Sequence, residues 1–313
     1  MKPERRVFVA GAGGLVGSAI VRRLHGGGYE DLLTPTREDL DLTDAAAVET
    51  FFREERPEVV FHAAAKVGGI VANDRFPAEF IHQNLLVQTH VIAAAHRHGV
   101  RRFVFLGSSC IYPKHAPQPM KEEYLLTGPL EPTNRAYAVA KIAGVEMVDA
   151  YRRQYGFDGM SLLPTNVYGP GDNFDPENSH VAAALIRKFH EAREEGRPEV
   201  VLWGSGTPRR EFLHVDDLAD AAVFLTEHDH EETLVNVGCG EDLTIDELAD
   251  TIREIVGYRG AVTHDRSRPD GTPRKLLDMS RLFGLGWRPR IGLREGLAET
   301  YAWYRSSVAG PTC

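Results

Sequence analysis

The feature that most restricts this chain is a glycine string, Gly11-Ala12-Gly13-Gly14-Leu15-Val16-Gly17. The residues before it, Arg6-Val7-Phe8-Val9-Ala10, read as a short buried strand, and from Leu15 to position 24 apolar residues recur at helical spacing. A strand that turns into a helix across glycines brings unpaired backbone N–H groups to a helix N-terminus, where a pyrophosphate can approach closely. Three glycines alone are also a plain turn. In this strand–helix context they point to dinucleotide binding.

The alternation continues through the first half. Leu32-Leu33 is a weak second strand, and Thr43-Asp44 opens a helix with Val48, Phe51 and Phe52 on one face, which stops before Pro57. Strands are expected at 58–62, 102–106 and 160–163, with long helices over 78–98, ending at Gly99, and over 135–155. Strands alternating with helices imply crossover connections, hence an α/β fold with a Rossmann-type, doubly wound parallel sheet. After Pro164 the texture changes. Gly, Pro, Asn and Asp crowd into 164–178, which predicts a long loop. Beyond it come helices over 181–194, 215–225, 244–256 and 293–304 and strands at 200–202 and 234–237. A length of 313 residues suggests two domains. These are expected as a nucleotide-binding domain over 1–165 and a smaller, mixed substrate lobe over 166–313, with the chain crossing back to the sheet.

Charge and cysteine content remove several classes. Lys and Arg total 36 against 45 Asp and Glu, a net charge of −9, which argues against a general binder of nucleic acid or anionic membrane and still permits a local basic pocket. No run of about 18 uncharged apolar residues is present, so a membrane span is not expected. Cys110, Cys239 and Cys313 are odd in number and far apart, with neither a disulfide framework nor metal-ligand spacing, and a reducing cytoplasm is the natural setting.

Two further patterns carry chemistry. Tyr137-Ala138-Val139-Ala140-Lys141 places a tyrosine and a lysine on one helix face. An ammonium beside a phenol favours the phenolate, so the pair is expected to have a lowered tyrosine pKa and to shuttle a proton to or from a carbonyl oxygen. Leu106-Gly107-Ser108-Ser109 follows the fourth strand, at the sheet edge where such folds bind ligands, and a serine there can hydrogen-bond the same carbonyl. About twenty residues past the last glycine, where the ribose is read, stands Arg37, expected at the end of the second strand. A guanidinium there suits a 2′-phosphate, hence NADP, unless Glu38 or Asp39 is the reader.

Glycine loop, strand-end serine and Tyr-x-x-x-Lys, in this order, resemble the short-chain dehydrogenase/reductase family. Pro164-Thr165-Asn166-Val167-Tyr168-Gly169-Pro170, Trp203-Gly204-Ser205-Gly206 and Arg210-Glu211-Phe212-Leu213-His214-Val215-Asp216-Asp217 are similar to its extended, sugar-nucleotide-modifying branch. Four stretches narrow the resemblance to the GDP-L-fucose synthases: the run from Lys66 to Asn73, the run from Gly107 to Lys114, Asp172-Asn173-Phe174 with Asn178-Ser179-His180, and the run from Pro269 to Lys275. The likeness runs from about residue 5 to residue 304. It implies a homodimer, paired through the two long helices, that epimerises C3 and C5 of GDP-4-dehydro-6-deoxy-D-mannose and reduces C4 with NADPH.

The resemblance also assigns roles. Ser108, Tyr137 and Lys141 would form the reductive set, and Cys110 and His180 the acid–base pair that inverts carbons beside a ketone. In an electropositive pocket a thiol carries a larger thiolate fraction; the plainer reading of Cys110 is a small buried core residue, and of His180 a solvated helix start. Cofactor contacts are implied for Gly11, Ala12, Gly13, Gly14, Leu15, Val16, Gly17, Arg37, Asp41, Leu42, Leu106, Gly107, Lys141, Pro164, Thr165, Asn166, Val167 and His180. Substrate contacts are implied for Lys188, Trp203, Arg210 and Asp270. Dehydratases on this scaffold carry an Asp-Glu pair where this chain has Ser109-Cys110, so loss of water is not supported. Two rival readings are weaker. Arg37 and Cys110 speak against an NAD-dependent UDP-sugar 4-epimerase, and the complete Ser-Tyr-Lys set speaks against a non-catalytic NADP-sensing protein.

Overall fold

The apolar runs of the first half are fully buried strands. A computed structural model of the protein describes residues 4–176, 179–228, 230–267 and 270–308. Asn178, Pro269 and Cys313, used in the motif reading, lie outside the described residues. In chain order the first half comprises β1 (Val7–Ala10), α1 (Leu15–Gly26), β2 (Leu32–Leu33), α2 (Ala45–Glu55), β3 (Val59–His62), α3 (Ile70–Arg75), α4 (Pro77–Arg97), β4 (Arg102–Leu106), α5 (Arg135–Tyr155) and β5 (Gly159–Pro164). β1, β3 and β5 are buried along their whole length, which is why they read as unbroken apolar stretches rather than alternating ones. Local chemistry sets the helix ends. The Asp44 side chain accepts from the N–H groups of Ala46 (2.8 Å) and Ala47 (3.2 Å) to start α2, and Gly156, at φ 67°, ends α5.

The second half contributes β6 (Asn166–Tyr168), α6 (Val181–Glu194), β7 (Glu199–Trp203), β8 (Arg209–Arg210), β9 (Phe212–His214), α7 (Val215–Glu227), β10 (Leu234–Val237), β11 (Leu243–Thr244), α8 (Ile245–Val256), β12 (Ala261–Asp265), β13 (Arg274–Lys275), α9 (Ser280–Gly284) and α10 (Leu293–Ser307). Six strands form one parallel sheet in the order β10-β5-β4-β3-β1-β2. Its last strand, β10, comes from far along the chain. α7 lies against α1, tied by Arg23 to Asp220 at 2.7 Å. A second apolar cluster joins α6, α8 and α10 to β7, with Phe189, Leu248, Ile252 and Leu297 at its centre.

The structure corrects the expected elements in three places. The region 164–178 is not all loop, because Asn166–Tyr168 pairs in parallel with Phe212–His214. Short strands β8, β11 and β13 were not visible in the pattern, since two residues carry no periodicity and only their partners define them. β2 ends at Leu33, so Arg37 stands four residues beyond the strand, in an exposed turn over 36–39.

Candidate active site

The glycine string forms a cradle in which different glycines have different reasons. Gly11 has φ 84°, and a Cβ there would lie 2.8 Å from the Ala64 backbone; a Cβ on Gly17 would lie 2.0 Å from the Gly11 carbonyl oxygen. Those two positions exclude any side chain. Gly13, by contrast, has nothing within 4 Å of its would-be Cβ, and both Gly13 and Gly14 are exposed. The opening therefore lies over Gly13 and Gly14, the latter being the N-cap of α1, with no side-chain cap and no acidic residue in the first turn. Ala12, Leu15 and Val16 are half-buried around it. A diphosphate fits such an uncapped helix start. Arg37 is exposed, while Asp39 is occupied by the Thr36 N–H (2.9 Å) and hydroxyl (2.7 Å). Asp41 accepts from the Thr43 N–H and hydroxyl, and Arg37 is close enough to add to the lowering of its pKa. The carbonyl of Leu42 is held by His90 Nδ1 at 3.1 Å.

Ser108 and Lys141 both stand at the carboxyl edge of β4. The Lys141 ammonium donates to the Leu106 carbonyl at 2.7 Å, with the Phe105 ring centroid 4.8 Å away and the Tyr137 ring 6.0 Å away. α5 can lie this low on the sheet because of Gly144, where a Cβ would sit 2.3 Å from the Phe105 ring. Ser108 Oγ accepts the Cys110 N–H at 3.3 Å and starts the short 3-10 turn Ser109–Ile111. Gly107 N–H donates to the Leu162 carbonyl at 2.7 Å. The Thr165 N–H bonds to the Val237 carbonyl at 3.0 Å, and the Asn166 amide to the Glu211 carbonyl at 2.8 Å. Pro164 to Val167 thus line the same sheet edge.

Two electrostatic expectations are corrected. The Tyr137 phenol is not below its ordinary pKa but well above it. Burial dominates, the neighbouring Cys110 adds to it, and hydrogen bonding with Ser108 opposes it. The Lys141 ammonium is itself pulled down to about 8 by burial. Likewise the Cys110 thiol stands above its ordinary value, because burial outweighs the opposing effects of Lys275, Ser108 and Lys141. The electropositive surroundings exist, and desolvation exceeds them. His180 forms the N-cap of α6 and opens to solvent, while the protein around it lowers its pKa. Among the described residues no hydrogen bond joins His180 to Cys110.

The substrate candidates fall into two groups. Lys188 lies with its ammonium 6.0 Å from the Trp203 ring, which is 60% exposed. Burial lowers the Lys188 pKa. Asp270 accepts from the Ser205 N–H (2.8 Å) and hydroxyl (2.7 Å), closing the turn after Trp203. Arg210 belongs to a separate strand pair. There β8 runs parallel to β13, with Arg209 opposite Arg274 and Arg210 opposite Lys275. Side chains alternate faces along a strand. Arg209 and Arg274 both bind the carboxylate of Asp242. Arg210 and Lys275 point the other way, both with pKa values lowered chiefly by burial.

Two residues of this region were missed as site candidates. Lys275 was only part of a motif. Glu211, fully buried, accepts from the N–H groups of Cys239 (2.7 Å), Gly240 (2.8 Å) and Leu277 (2.9 Å), and so ties β8 to the segment after β10 and to the segment carrying Lys275. A glutamate next to an arginine in sequence gives no hint of such long-range donors.

Residues 7–238 match the NAD dependent epimerase/dehydratase family. The chain belongs to that family. The members named below match it over more than nine-tenths of both chains. GDP-L-fucose synthase 1 of Arabidopsis thaliana is 57% identical over 303 residues, covering 97% of this chain and 94% of that protein. GDP-L-fucose synthase of Escherichia coli K12 is 56% identical over 310 residues, covering 96% and 97%. Among solved structures, MlghC, a GDP-mannoheptose C4 reductase from Campylobacter jejuni with NADP bound, superposes with a TM-score of 0.90 at 37% identity, covering 97% of this chain and 99% of that one. Within the epimerase/dehydratase family the chain groups with the GDP-L-fucose synthases, in the extended short-chain dehydrogenase/reductase superfamily. Among its described residues no helix is long and apolar enough to cross a membrane.

Proposed function

We propose that this chain converts GDP-4-dehydro-6-deoxy-D-mannose to GDP-L-fucose, epimerising C3 and C5 and then reducing C4 with NADPH. The observation that carries the reading is the gathering of Ser108, Cys110, Tyr137 and Lys141 at one sheet edge, a proton-transfer thiol beside a complete Ser-Tyr-Lys set. The names of the full-length relatives support the same chemistry.

The C4 ketone acidifies the hydrogens on C3 and C5. Inversion breaks a C–H bond on one face, sends its electron pair to the carbonyl oxygen, and returns a proton to carbon from the other face. Cys110 and His180 supply the two faces, and Ser108 and Tyr137 donate hydrogen bonds to the oxygen while it carries charge. A tyrosine with a raised pKa remains protonated at neutral pH, so Tyr137 holds the proton that O4 needs on reduction. NADPH, when bound, supplies the hydride for C4. The glycine cradle holds its diphosphate, Arg37 its 2′-phosphate, Lys141 the nicotinamide ribose, and the sheet edge from Pro164 to Val167 lines its site. Trp203, Lys188, Arg210 and Asp270 hold the GDP portion. Residues 1–165 serve the cofactor and 166–313 the sugar nucleotide. The enzyme acts in the cytoplasm as a homodimer, paired through the outer faces of α4 and α5, where Val139 of α5 is exposed.

The test is to incubate the purified protein with the keto-sugar nucleotide and NADPH and to identify the product by proton NMR. GDP-L-fucose, formed with one NADPH consumed per sugar, is the expected result. A 6-deoxy sugar with unaltered C3 and C5, or no NADPH consumption, contradicts the proposal.

A further inference from the structure

The short turn that carries Ser108 and Cys110 is weakly held by its own bonds. Ile111 N–H reaches the Ser108 carbonyl at 3.3 Å, Tyr112 N–H the Ser109 carbonyl at 3.4 Å, and Cys110 N–H reaches Ser108 Oγ at 3.3 Å. A well-made N–H···O bond is about 2.9–3.0 Å long, and 3-10 turns have poor bond geometry. The two ends of the turn are held better. Before it, Gly107 N–H donates to the Leu162 carbonyl at 2.7 Å. After it, the buried Tyr112 donates its hydroxyl to Asn236 Oδ1 at 2.7 Å. Burial above all raises the pKa of that phenol, so it keeps the proton it donates.

Asn236 is a fixed anchor. It is buried in β10, opposite Leu163 of β5. Its backbone N–H donates to Glu122 Oε1 at 2.9 Å, and its side-chain amide to the Met120 carbonyl at 2.9 Å and the Asp278 carbonyl at 3.1 Å. Glu122 Oε2 in turn meets Arg281 at 3.3 Å, and Asp278 N–H donates to the Met120 carbonyl at 2.8 Å. The amide oxygen and both amide hydrogens of Asn236 are thus engaged, which sets its orientation. We propose that Tyr112 is a positioning residue for both half-reactions: its hydroxyl, locked on Asn236, fixes how the Ser109–Ile111 turn presents Ser108 and Cys110 to the sugar. The inference rests on the reading of Ser108 and Cys110 as groups that meet the substrate. A three-residue turn between two fixed ends has no slack. With one end released, its long internal bonds cannot hold the hydroxyl and the thiol in place.

The experiment removes the hydroxyl and keeps the ring. For Tyr112→Phe, NADPH titration counts the folded sites, and rates are expressed per site. A misplacement of about 1 Å can cost about 10²-fold in rate. The kcat for NADPH oxidation and the rate of deuterium entry at C3 and C5 of the keto-sugar should therefore each fall about 10–100-fold, with both KM values within about threefold of wild type. A merely structural role would lower the urea midpoint and leave the per-site kcat unmoved, which overturns the proposal. A rise in keto-sugar KM at constant kcat also overturns it, since Tyr112 would then shape the substrate pocket only. Asn236→Leu removes the acceptor and leaves the phenol. It should show the same loss of kcat, and adding Tyr112→Phe to it should cost nothing more, because the two residues share one bond. Losses that multiply in the double variant contradict the proposal. If one single variant fails to fold, the other carries the same kcat and KM outcomes. If Cys110→Ser exchanges at the wild-type rate, the reading of Cys110 has failed, and the NADPH-oxidation arm, which depends on Ser108, still decides the role of Tyr112.

Discussion

The two walls of the site are built in opposite ways. On the α5 wall, Tyr137 and Lys141 are four residues apart and share a face by helix geometry alone, over Phe105 and Gly144. On the opposite wall, Arg210 and Lys275 are separated by 65 positions and meet only because two-residue strands pair in register. The first arrangement is nearly independent of the rest of the molecule. The second depends on Asp242, which holds the outward arginines of both strands, and on Glu211, which anchors the segments around them. A wall written into local spacing can be read early, and a wall written into register is seen only when the chain is folded.

The difference predicts how each wall fails. Tyr137→Phe should remove reduction without touching the opposite wall: NADPH oxidation falls about 10²–10⁴-fold, as expected for loss of a general acid, with the unfolding curve unchanged. An equal fall in GDP-sugar affinity would show the walls to be coupled. Arg37→Ala, outside both walls, should weaken NADPH at least about tenfold and NADH little, since a charge-assisted hydrogen bond is worth about 1.5–3 kcal/mol. Equal losses for both cofactors would make Arg37 a bystander. Asp242→Ala should free both strands of the second wall. Its carboxylate is buried and the two arginines are partly exposed, so the expected loss is about 1–2 kcal/mol in urea unfolding, with weaker GDP-sugar binding and intact NADPH binding.

A further effect lies beneath the α5 wall. His62 is fully buried, stacked on Phe105 at 5.6 Å, with neither ring nitrogen hydrogen-bonded among the described residues, and its pKa falls to about 3 through burial and, secondarily, Lys141. Below its ordinary value of 6.5 the unfolded chain takes up a proton that the folded one refuses. Stability should therefore fall as pH drops from 6.5 towards 3, by up to about 1.4 kcal/mol per pH unit from this group. His62→Phe should flatten that part of the acid limb, measured by urea unfolding at pH 5 and pH 7. An unchanged slope would mean the ring is not held neutral.

Much of the fold was legible because burial on both faces and helix caps leave marks in sequence. The strand Arg102–Leu106 and the helices Arg135–Tyr155 and Val181–Glu194 fall at the expected residues. What stayed hidden lacks a local mark. α3 is held by the Asn73 amide on the Gly68 carbonyl at 2.7 Å, and β12 is a half-exposed strand defined only by β7. The reductive residues were found by spacing, and Cys110 and His180 by resemblance. The raised pKa of Tyr137 and of Cys110 could not be read, because neighbouring charges are visible in sequence and desolvation is not. Lys275 was missed for the related reason that only the β8–β13 register brings it beside Arg210.

The most direct test asks whether the two half-reactions can be separated. The keto-sugar nucleotide is followed by proton NMR in deuterated water, with NADPH absorbance read in parallel, for wild type, Cys110→Ser and Tyr137→Phe. A serine hydroxyl packs like the thiol but is far too weak an acid to form the anion. The account predicts that Cys110→Ser loses deuterium exchange at C3 and C5 and still oxidises NADPH, giving a 6-deoxy sugar with unaltered C3 and C5. It predicts that Tyr137→Phe keeps exchange and loses oxidation. Exchange at the wild-type rate in Cys110→Ser, or loss of both activities together in either variant with the fold intact, contradicts the division of the site into two proton-handling halves.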